Sequence, residues 1–436
     1  MTQASAASKY EKMIITKKGK PSVRLEGKTV AFDYYESIRS PNITANMIVV
    51  DAGGSASYTK DYDKQERSGS IYNALPLTGR EKIKFKIKSA LGTLDFSNRP
   101  LFVNTINNPD QNSQRESIML SLFSEGAKLN CESSVIKKYP GTIATSVNKL
   151  LNEFLIGKDT TENEQSVKLN PNNIQPTANS CTFIGNDRSV FEIVCNLASK
   201  SLAGKDSAGF FFFETQDGFQ FKSIDSLVSA KIKAKYFKGE GLVGTTSDYR
   251  DNCKILSCII RKNQNILNAL NAGVFFSRNI YYNPKTREET EIMYQFSEGR
   301  LIKKLGKSAE APDVNAYAIT NYNVLDIGTI EETVKGSDNN DPKDYQAQAA
   351  MRYNILFSQL VDIQVPCNPN LRAGDTIDCD FEIITESEKE QGSIDPVQSG
   401  KYLIVDLCHH YEPTRSITSL TLARDSYGLY TERNKS

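Results

Sequence analysis

The residue types best suited to chemistry gather toward the C-terminal end: Cys367, Cys379, Cys408, His409 and His410. The two histidines are the only ones in the chain, and they are adjacent. Such a set could hold a zinc ion or supply a cysteine–histidine nucleophile pair. Zinc favours CxxC or HxxxH spacing, because two ligands must converge from one turn. Neither spacing occurs among these five. In a strand His409 and His410 point to opposite faces, so at most one can join a shared site. A nucleophilic thiol would need a neighbouring strand to bring it against His410, in an exposed and activated setting. Cys379 instead falls on the apolar face of its strand, where a thiol packs as a small hydrophobe. Cys253 and Cys258, in CKILSC, have the wrong separation for a redox CxxC pair. No GxSxG, HExxH or glycine-rich phosphate loop stands between a strand and a helix. A carboxylate pair stays open, since 52 acidic residues allow many. The reading is no catalytic residue, no cofactor and no metal.

The elements that carry this set are strands. Val361, Ile363 and Val365 alternate with Asp362 and Gln364; Ile377, Cys379, Phe381 and Ile383 alternate with Asp378, Asp380 and Glu382. A period of two means a sheet with one buried face. Between them PCNPNLRAGD reads as a reversal, with Gly374 giving the backbone its freedom. After a polar excursion from Thr385 to Ser399, GKYLIVDLCHHY and ITSLTLARDSYG complete the stretch. It reads as a wall.

Composition bounds what the wall belongs to. At roughly 100–200 residues per domain, 436 residues predict about three or four units. The formal net charge is +1, so the concentrated basic excess of a dedicated nucleic-acid binder is missing. The N-terminus lacks the apolar core of a secretory signal, and no apolar run approaches the roughly 18 residues that cross a bilayer. A soluble cytoplasmic product with eight reduced cysteines is expected.

Residues 1–11 read as a disordered lead-in, and 12–125 as a first β unit in which Gly53 to Ser70 is an exposed loop. Its sharpest strand sets Ile83, Phe85 and Ile87 against Lys82, Lys84, Lys86 and Lys88. That lysine row is either a solvated face or an interface that wants positive charge. Residues 126–227 combine two helices with a phenylalanine hairpin. The first helix buries Ile143, Val147, Leu150, Leu151 and Phe154 and stops at Gly157. The second takes Asp187 or Ser189 as N-cap and Gly204 as C-cap, and Asp217-Gly218 marks the hairpin turn. Lys158 to Ser180, between the helices, reads as a loop. Residues 228–340 form a β-rich connecting unit, turning at Asn283-Pro284. Residues 341–427, with strands from 228–245 open to inclusion, form a second β unit behind a helix capped by Asp341 and Pro342. That helix carries a stripe of Tyr345, Ala349, Tyr353, Leu356 and Leu360. Residues 428–436 are a polar tail.

This order of units resembles the central baseplate hub protein of contractile-tailed phages of the T4-like and cyanophage type, a family related to late-control D proteins and type VI spike hubs. Three stretches carry the resemblance: DRSVFEIVCNLASKSLAG leading into GFFFFETQDGFQF, then PNLRAGDTIDCDF, then GKYLIVDLCHHYEPTRSITSLTLARDSYG. It implies an α+β, mainly β fold in which two tube-type β-sheet or barrel domains flank the helix-plus-hairpin and connecting domains. It implies a homotrimeric ring, joining a six-fold tail tube or its initiator to a three-fold central spike. Wedge proteins would surround the ring and DNA would pass through it without sequence-specific binding. Such a protein is a virion structural component, assembled in the host cytoplasm and spanning no membrane. As inter-subunit contacts we expect the row Lys82, Lys84, Lys86 and Lys88 to meet the acidic row Asp378, Asp380 and Glu382, since opposite charge sets specificity. The hub of a phage-derived injection device and a cell-wall hydrolase are the alternatives.

Overall fold

Alternating apolar and polar residues set the first part of the chain into strands: β1 (Lys9–Thr16), β2 (Val23–Arg24), β3 (Thr29–Ser37), β4 (Thr44–Asp51), β5 (Ala56–Thr59), β6 (Glu66–Gly69), β7 (Lys82–Lys88), β8 (Thr93–Asp95), β9 (Leu101–Gln111) and β10 (Glu116–Phe123). The computed structural model describes residues 7–20, 22–52, 56–59, 66–71, 75–111, 116–156, 173–239, 252–263, 265–297, 303–309, 314, 316–325, 341–383 and 393–428. The segment read as an exposed loop from Gly53 to Ser70 contains a hairpin instead, Ala56 pairing with Gly69 and Thr59 with Glu66. Ser57, Ser68 and Gly69 lie within its paired strands, which composition alone cannot tell from coil. The expected helix stop at Gly157, most of the loop from Lys158 to Ser180, most of the excursion from Thr385 to Ser399 and the polar tail beyond Gly428 lie outside the described residues.

Helix α1 (Glu125–Cys131), unforeseen, leads to β11 (Lys138–Tyr139) and α2 (Ile143–Leu150). The latter is capped by Thr142 and passes into a π-helical turn, Leu151–Leu155. After β12 (Phe183–Ile184), Ser189 caps α3 (Val190–Ser199) by accepting from the Glu192 N–H. Gly204 is not its C-cap: the helix closes at Lys200, and Gly204 belongs to β13 (Leu202–Gly204), paired with β14 (Ser207–Ala208). The phenylalanine hairpin is β15 (Phe210–Thr215) and β16 (Gly218–Ser223), turning where Gly218 takes φ 101°. Then follow α4 (Ile224–Ser229), β17 (Ile232–Lys238), β18 (Ser257–Asn263), α5 (Ile266–Asn271), β19 (Phe276–Asn283), β20 (Glu288–Gln295) and β21 (Ile319–Val324). Helix α6 (Pro342–Leu356) begins on Asp341 as expected but ends before Leu360. Leu360 belongs to β22 (Gln359–Pro366), because the helical period gives way to alternation at Gln359. Finally come β23 (Thr376–Phe381), β24 (Gly400–Tyr411) and β25 (Ser416–Arg424).

Two separate tube-type barrels are not what forms. Strands from both ends of the chain make one 14-stranded sheet, with the path β18-β22-β25-β24-β3-β4-β10-β9-β7-β1-β2 open at each end. Among the described residues no sheet closes on itself. The physical cause is β24, which spends one edge on β25 and most of the other on β3, with Asp406 opposite Ser37 and Tyr411 opposite Phe32. The edge that would close one unit is used to fuse two. β23 joins β24 through its Gly400–Leu403 end and carries β17 as a parallel neighbour.

One apolar core follows from this fusion. Met13, Phe32 and Phe85 from the N-terminal strands share a cluster with Ile363, Cys379, Tyr411 and Leu422 from the C-terminal ones. A second cluster packs α2, the π turn and α3 on Phe212, Phe219 and Phe221. A third covers the other face of β24 and β25, where Leu403, Val405 and Ala423 meet Phe213, Ile224 and Leu356. The C-terminal wall is therefore not one-sided: from Gly400 to Val405 every residue of β24 is buried.

Candidate assembly surface

The face of the fused sheet that turns away from its main core is half exposed and polar. It presents Asp33, Tyr35 and Ser37 on β3, and Asp406, Cys408 and His410 on β24. Ser419 and Thr421 on β25, with Asp362 and Gln364 on β22, continue it. A concavity of about 510 Å³ lies over this face between Tyr35, Ile259, Asp362 and Cys408. Its carboxylates are held by a hydroxyl and a cation each. Asp362 accepts from Thr421 Oγ1 at 2.8 Å and pairs with Arg261. Asp406 accepts from Ser37 Oγ at 2.6 Å and pairs with Arg39. His410 bonds Asp33 through Nδ1 and lies 3.1 Å from Glu412 through Nε2. Burial pushes the His410 ring down, but the bonds to Asp33 and Glu412 outweigh it and leave the pKa above 6.5.

The two charged rows named from sequence have different surroundings. On β7, Ile83, Phe85 and Ile87 are fully buried while Lys82, Lys84 and Lys86 are half exposed and Lys88 exposed. Register sets Lys9 opposite Lys88 and Lys12 opposite Lys86. Lys86 lies 3.7 Å from Glu11 and 3.5 Å from Asp95. On β23, Asp378 is buried, opposite Lys401 on one side and Lys235 on the other, whose amine is 3.9 Å away. Asp380 stands opposite Phe237, and the Glu382 carboxyl packs where a Cβ on Gly239 would sit. The structure does not bring the two rows together within one chain: β7 pairs with β1, β8 and β9, and β23 with β17 and β24.

Below the polar face, the phenylalanine hairpin is locked to both halves of the sheet by buried charge. Glu36 of β3 accepts from Tyr34 Oη at 2.7 Å, from the Gln216 N–H at 2.7 Å and from the Ala373 N–H at 3.0 Å. Burial raises its carboxyl above the usual range, against the pull of Arg372 and these three donors. Reciprocally, Glu214 of β15 accepts from the Ile43 N–H at 3.1 Å and Ser124 Oγ at 2.5 Å, and pairs with Arg99. Arg99 also donates to the Thr215 and Gln216 carbonyls, both at 3.1 Å. Gly374 (φ 86°) lets the reversal pass close to the hairpin, since a Cβ there would meet the Phe213 ring at 2.9 Å. A second buried lock joins α6 to its surroundings: Arg352 pairs with Asp225 at 3.1 Å and Asp425 at 2.8 Å.

The cysteine and histidine set does not converge. His409 is fully buried, stacked on Tyr34 and bonded to Thr418 Oγ1 at 2.8 Å, and burial holds its pKa near 3. His410 lies on the opposite face. Burial pushes the Cys367 thiol up to about 11 and Cys408 to about 12, and raises the fully buried Cys379 well above its ordinary value, so none is poised as a thiolate. Among the described residues no group of three or more His, Cys, Asp and Glu could hold a metal ion.

Sequence reasoning passed over Arg99, Glu214, Glu36, Arg352 and Arg424. A signal existed for two of them. Glu214 directly follows four phenylalanines, and Arg424 ends an apolar alternation; a charge in such a place needs a buried partner. Arg424 finds one in the carbonyls of Val397 and Gln398, at 3.2 and 3.0 Å.

No family model matches the chain. In sequence it is similar to a probable baseplate hub protein of Vibrio phage KVP40, 23% identical over 260 residues. That alignment covers 56% of this chain and 59% of the relative, so the chain matches less than two thirds of the relative's length. In structure it is similar to the tail protein from Neisseria meningitidis MC58, with TM-score 0.50 and 11% identity over 96% of this chain and 97% of that one. The 43 kDa tail protein of prophage MuSo2 from Shewanella oneidensis gives TM-score 0.49 and 11% identity, over 95% and 98%. The Neisseria likeness extends along nearly the whole of both chains, and at its identity it establishes a shared fold.

Proposed function

We propose that this chain is a structural hub protein of a contractile-tail baseplate. The observation that carries the reading is the fused sheet, in which strands from both ends of the chain build one wall with a polar, charge-paired face. Copies set around an axis with that face inward would enclose a passage. Paired charges along it would let a polyanion slide without capture, because affinity for phosphates needs unneutralised Lys and Arg. The similarity to the KVP40 relative, a probable baseplate hub protein, supports the same reading. The locks at Glu36, Glu214 and Arg352 fit a part that bears load rather than one that turns over substrate.

In this reading three copies form the ring. It joins the tail tube or its initiator on one side to the central spike on the other, with wedge proteins around it and DNA passing through. The units 12–125 and 341–427 supply the wall, and 126–227 and 228–340 brace it from outside. The lysine row Lys82, Lys84, Lys86 and Lys88 meets an acidic surface of a neighbour. Asp378, Asp380 and Glu382 are the weaker half of the earlier pairing, since Asp378 is already buried beside Lys235 of its own chain. Single-particle microscopy of the purified protein tests the reading: three-fold rings with a hollow axis are expected. Isolated single copies with a closed cleft would overturn it.

A further inference from the structure

We infer that copies of this chain join edge to edge, the outer edge of β18 on one copy pairing with the outer edge of β9 on the next. The inference rests on the hub reading and names the strands that would meet. β18 is the first strand of the sheet, paired with β22 along one side. Its Ile259 and Ile260 are 61% and 45% exposed. Two consecutive isoleucines on an outer strand are what folds avoid unless something covers them, because open backbone beside apolar side chains recruits another strand.

β9 is open in the complementary way. It pairs with β10 from Phe102 to Gln111, but with β7 only at Leu101 and Phe102. From Asn104 to Asn107 its outer side has no strand among the described residues, and Asn104, Thr105 and Asn107 are exposed. Pro109 ends the usable run, since it has no N–H to give a ladder. On β18 a bulge between Ile260 and Lys262 bends the strand, leaving Ser257 to Ile260 as its straight part. A bulge at Asn104 interrupts β9 in the same way, so its straight run Thr105 to Asn107 faces Ser257 to Ile260.

Direction agrees too. Seven successive antiparallel pairings lead from β18 through β22, β25, β24, β3, β4 and β10 to β9. An odd number of reversals leaves β18 and β9 antiparallel to each other. A rotation that lays β9 of one copy beside β18 of the next therefore continues the alternation unbroken. Because the two edges differ, the contact is head to tail, and it closes as a ring when the rotation divides the circle.

The test uses the full chain with Ile260→Lys, with Thr105→Lys, and the two variants mixed one to one. Native mass spectrometry reads the assembly, and circular dichroism confirms that each variant keeps the wild-type fold. Each variant alone is expected at the 48.6 kDa mass of one copy. The mixture is expected at twice that mass and no higher, because one sound β9 meets one sound β18 and both outer ends are blocked. Should either lysine unfold the chain, Ile259→Thr and Asn107→Lys replace them. Wild-type assembly that both variants retain would overturn the edge pairing and leave the hub reading standing. Loss of assembly with Ile260→Lys but not Thr105→Lys would mean that β18 meets itself, which also overturns it. A wild-type chain that stays single under all conditions overturns the hub reading and this inference together.

Discussion

β7 and β23 carry nearly the same pattern, KIKFKIK against TIDCDF, and the fold treats them in opposite ways. Both bury their apolar row completely or nearly so. On β7 the charged row stays at the surface, and two of its rungs set lysine against lysine, Lys9 with Lys88 and Lys12 with Lys86. Like charges directly opposite cost stability. On β23 Asp378 is matched inside the sheet, buried opposite Lys235 and Lys401, while Asp380 and Glu382 stay half exposed. Strand period reports which residues share a face. It does not report whether a second layer covers that face. A mismatched rung at the surface, such as Lys9 with Lys88, points outward, to a partner; a matched and buried charge, such as Asp378, points inward, to stability.

The hardest blow to this contrast is Asp378→Lys. It would put a cation at a buried position opposite Lys401, and although the exposed Lys235 amine stays solvated, a buried charge without its counter-charge costs on the order of a few kcal/mol. Thermal unfolding should shift down by many degrees, with the far-ultraviolet spectrum retained at low temperature. A shift no larger than that of a surface substitution would show that Asp378 is solvated and that the two strands are alike after all.

Charge reversal on β7 should act with the opposite sign. Lys88→Glu turns the rung with Lys9 from repulsive to attractive, a gain of about 0.2–1 kcal/mol to the single chain. Denaturant titration reads that gain at low ionic strength, and salt should erase it. The same substitution should weaken assembly if the lysine row meets an acidic neighbour. A loss of single-chain stability would mean that Lys88, like Lys86 beside Glu11 and Asp95, is matched within the chain.

The alternating strands, the Asp217-Gly218 hairpin, the cap at Asp187 or Ser189 and the Asp341-Pro342 helix start were legible in the sequence because each depends on neighbours in the chain. Closure was not legible. Whether β24 turns back on its own unit or reaches β3 is decided by a pairing between residues such as His410 and Asp33, far apart in sequence. Short elements escaped for a related reason: α1, α4 and α5 span too few turns to show a period. The candidate site divided the same way. The Lys82 to Lys88 row announced itself by spacing. Glu36 and Glu214 did not, because a lone acid in a strand looks the same whether it meets water or Arg99.

The smallest effect tests the seam where the two halves of the sheet meet. His410 reaches from β24 to Asp33 on β3 and to Glu412, and its pKa in the folded chain stands above 6.5. A raised histidine binds its proton more tightly folded than unfolded. Its contribution is therefore complete below about pH 6.5 and is lost as pH rises through the folded value. The ring is partly solvated, so screening reduces the expected change to a few tenths of a kcal/mol. Melting temperature measured from pH 5.5 to pH 8.5 should fall slightly more for wild type than for His410→Gln. Parallel curves would show that the bond to Asp33 carries no charge. The seam would then hold through backbone pairing and the buried core alone, which is how β7 holds to β1.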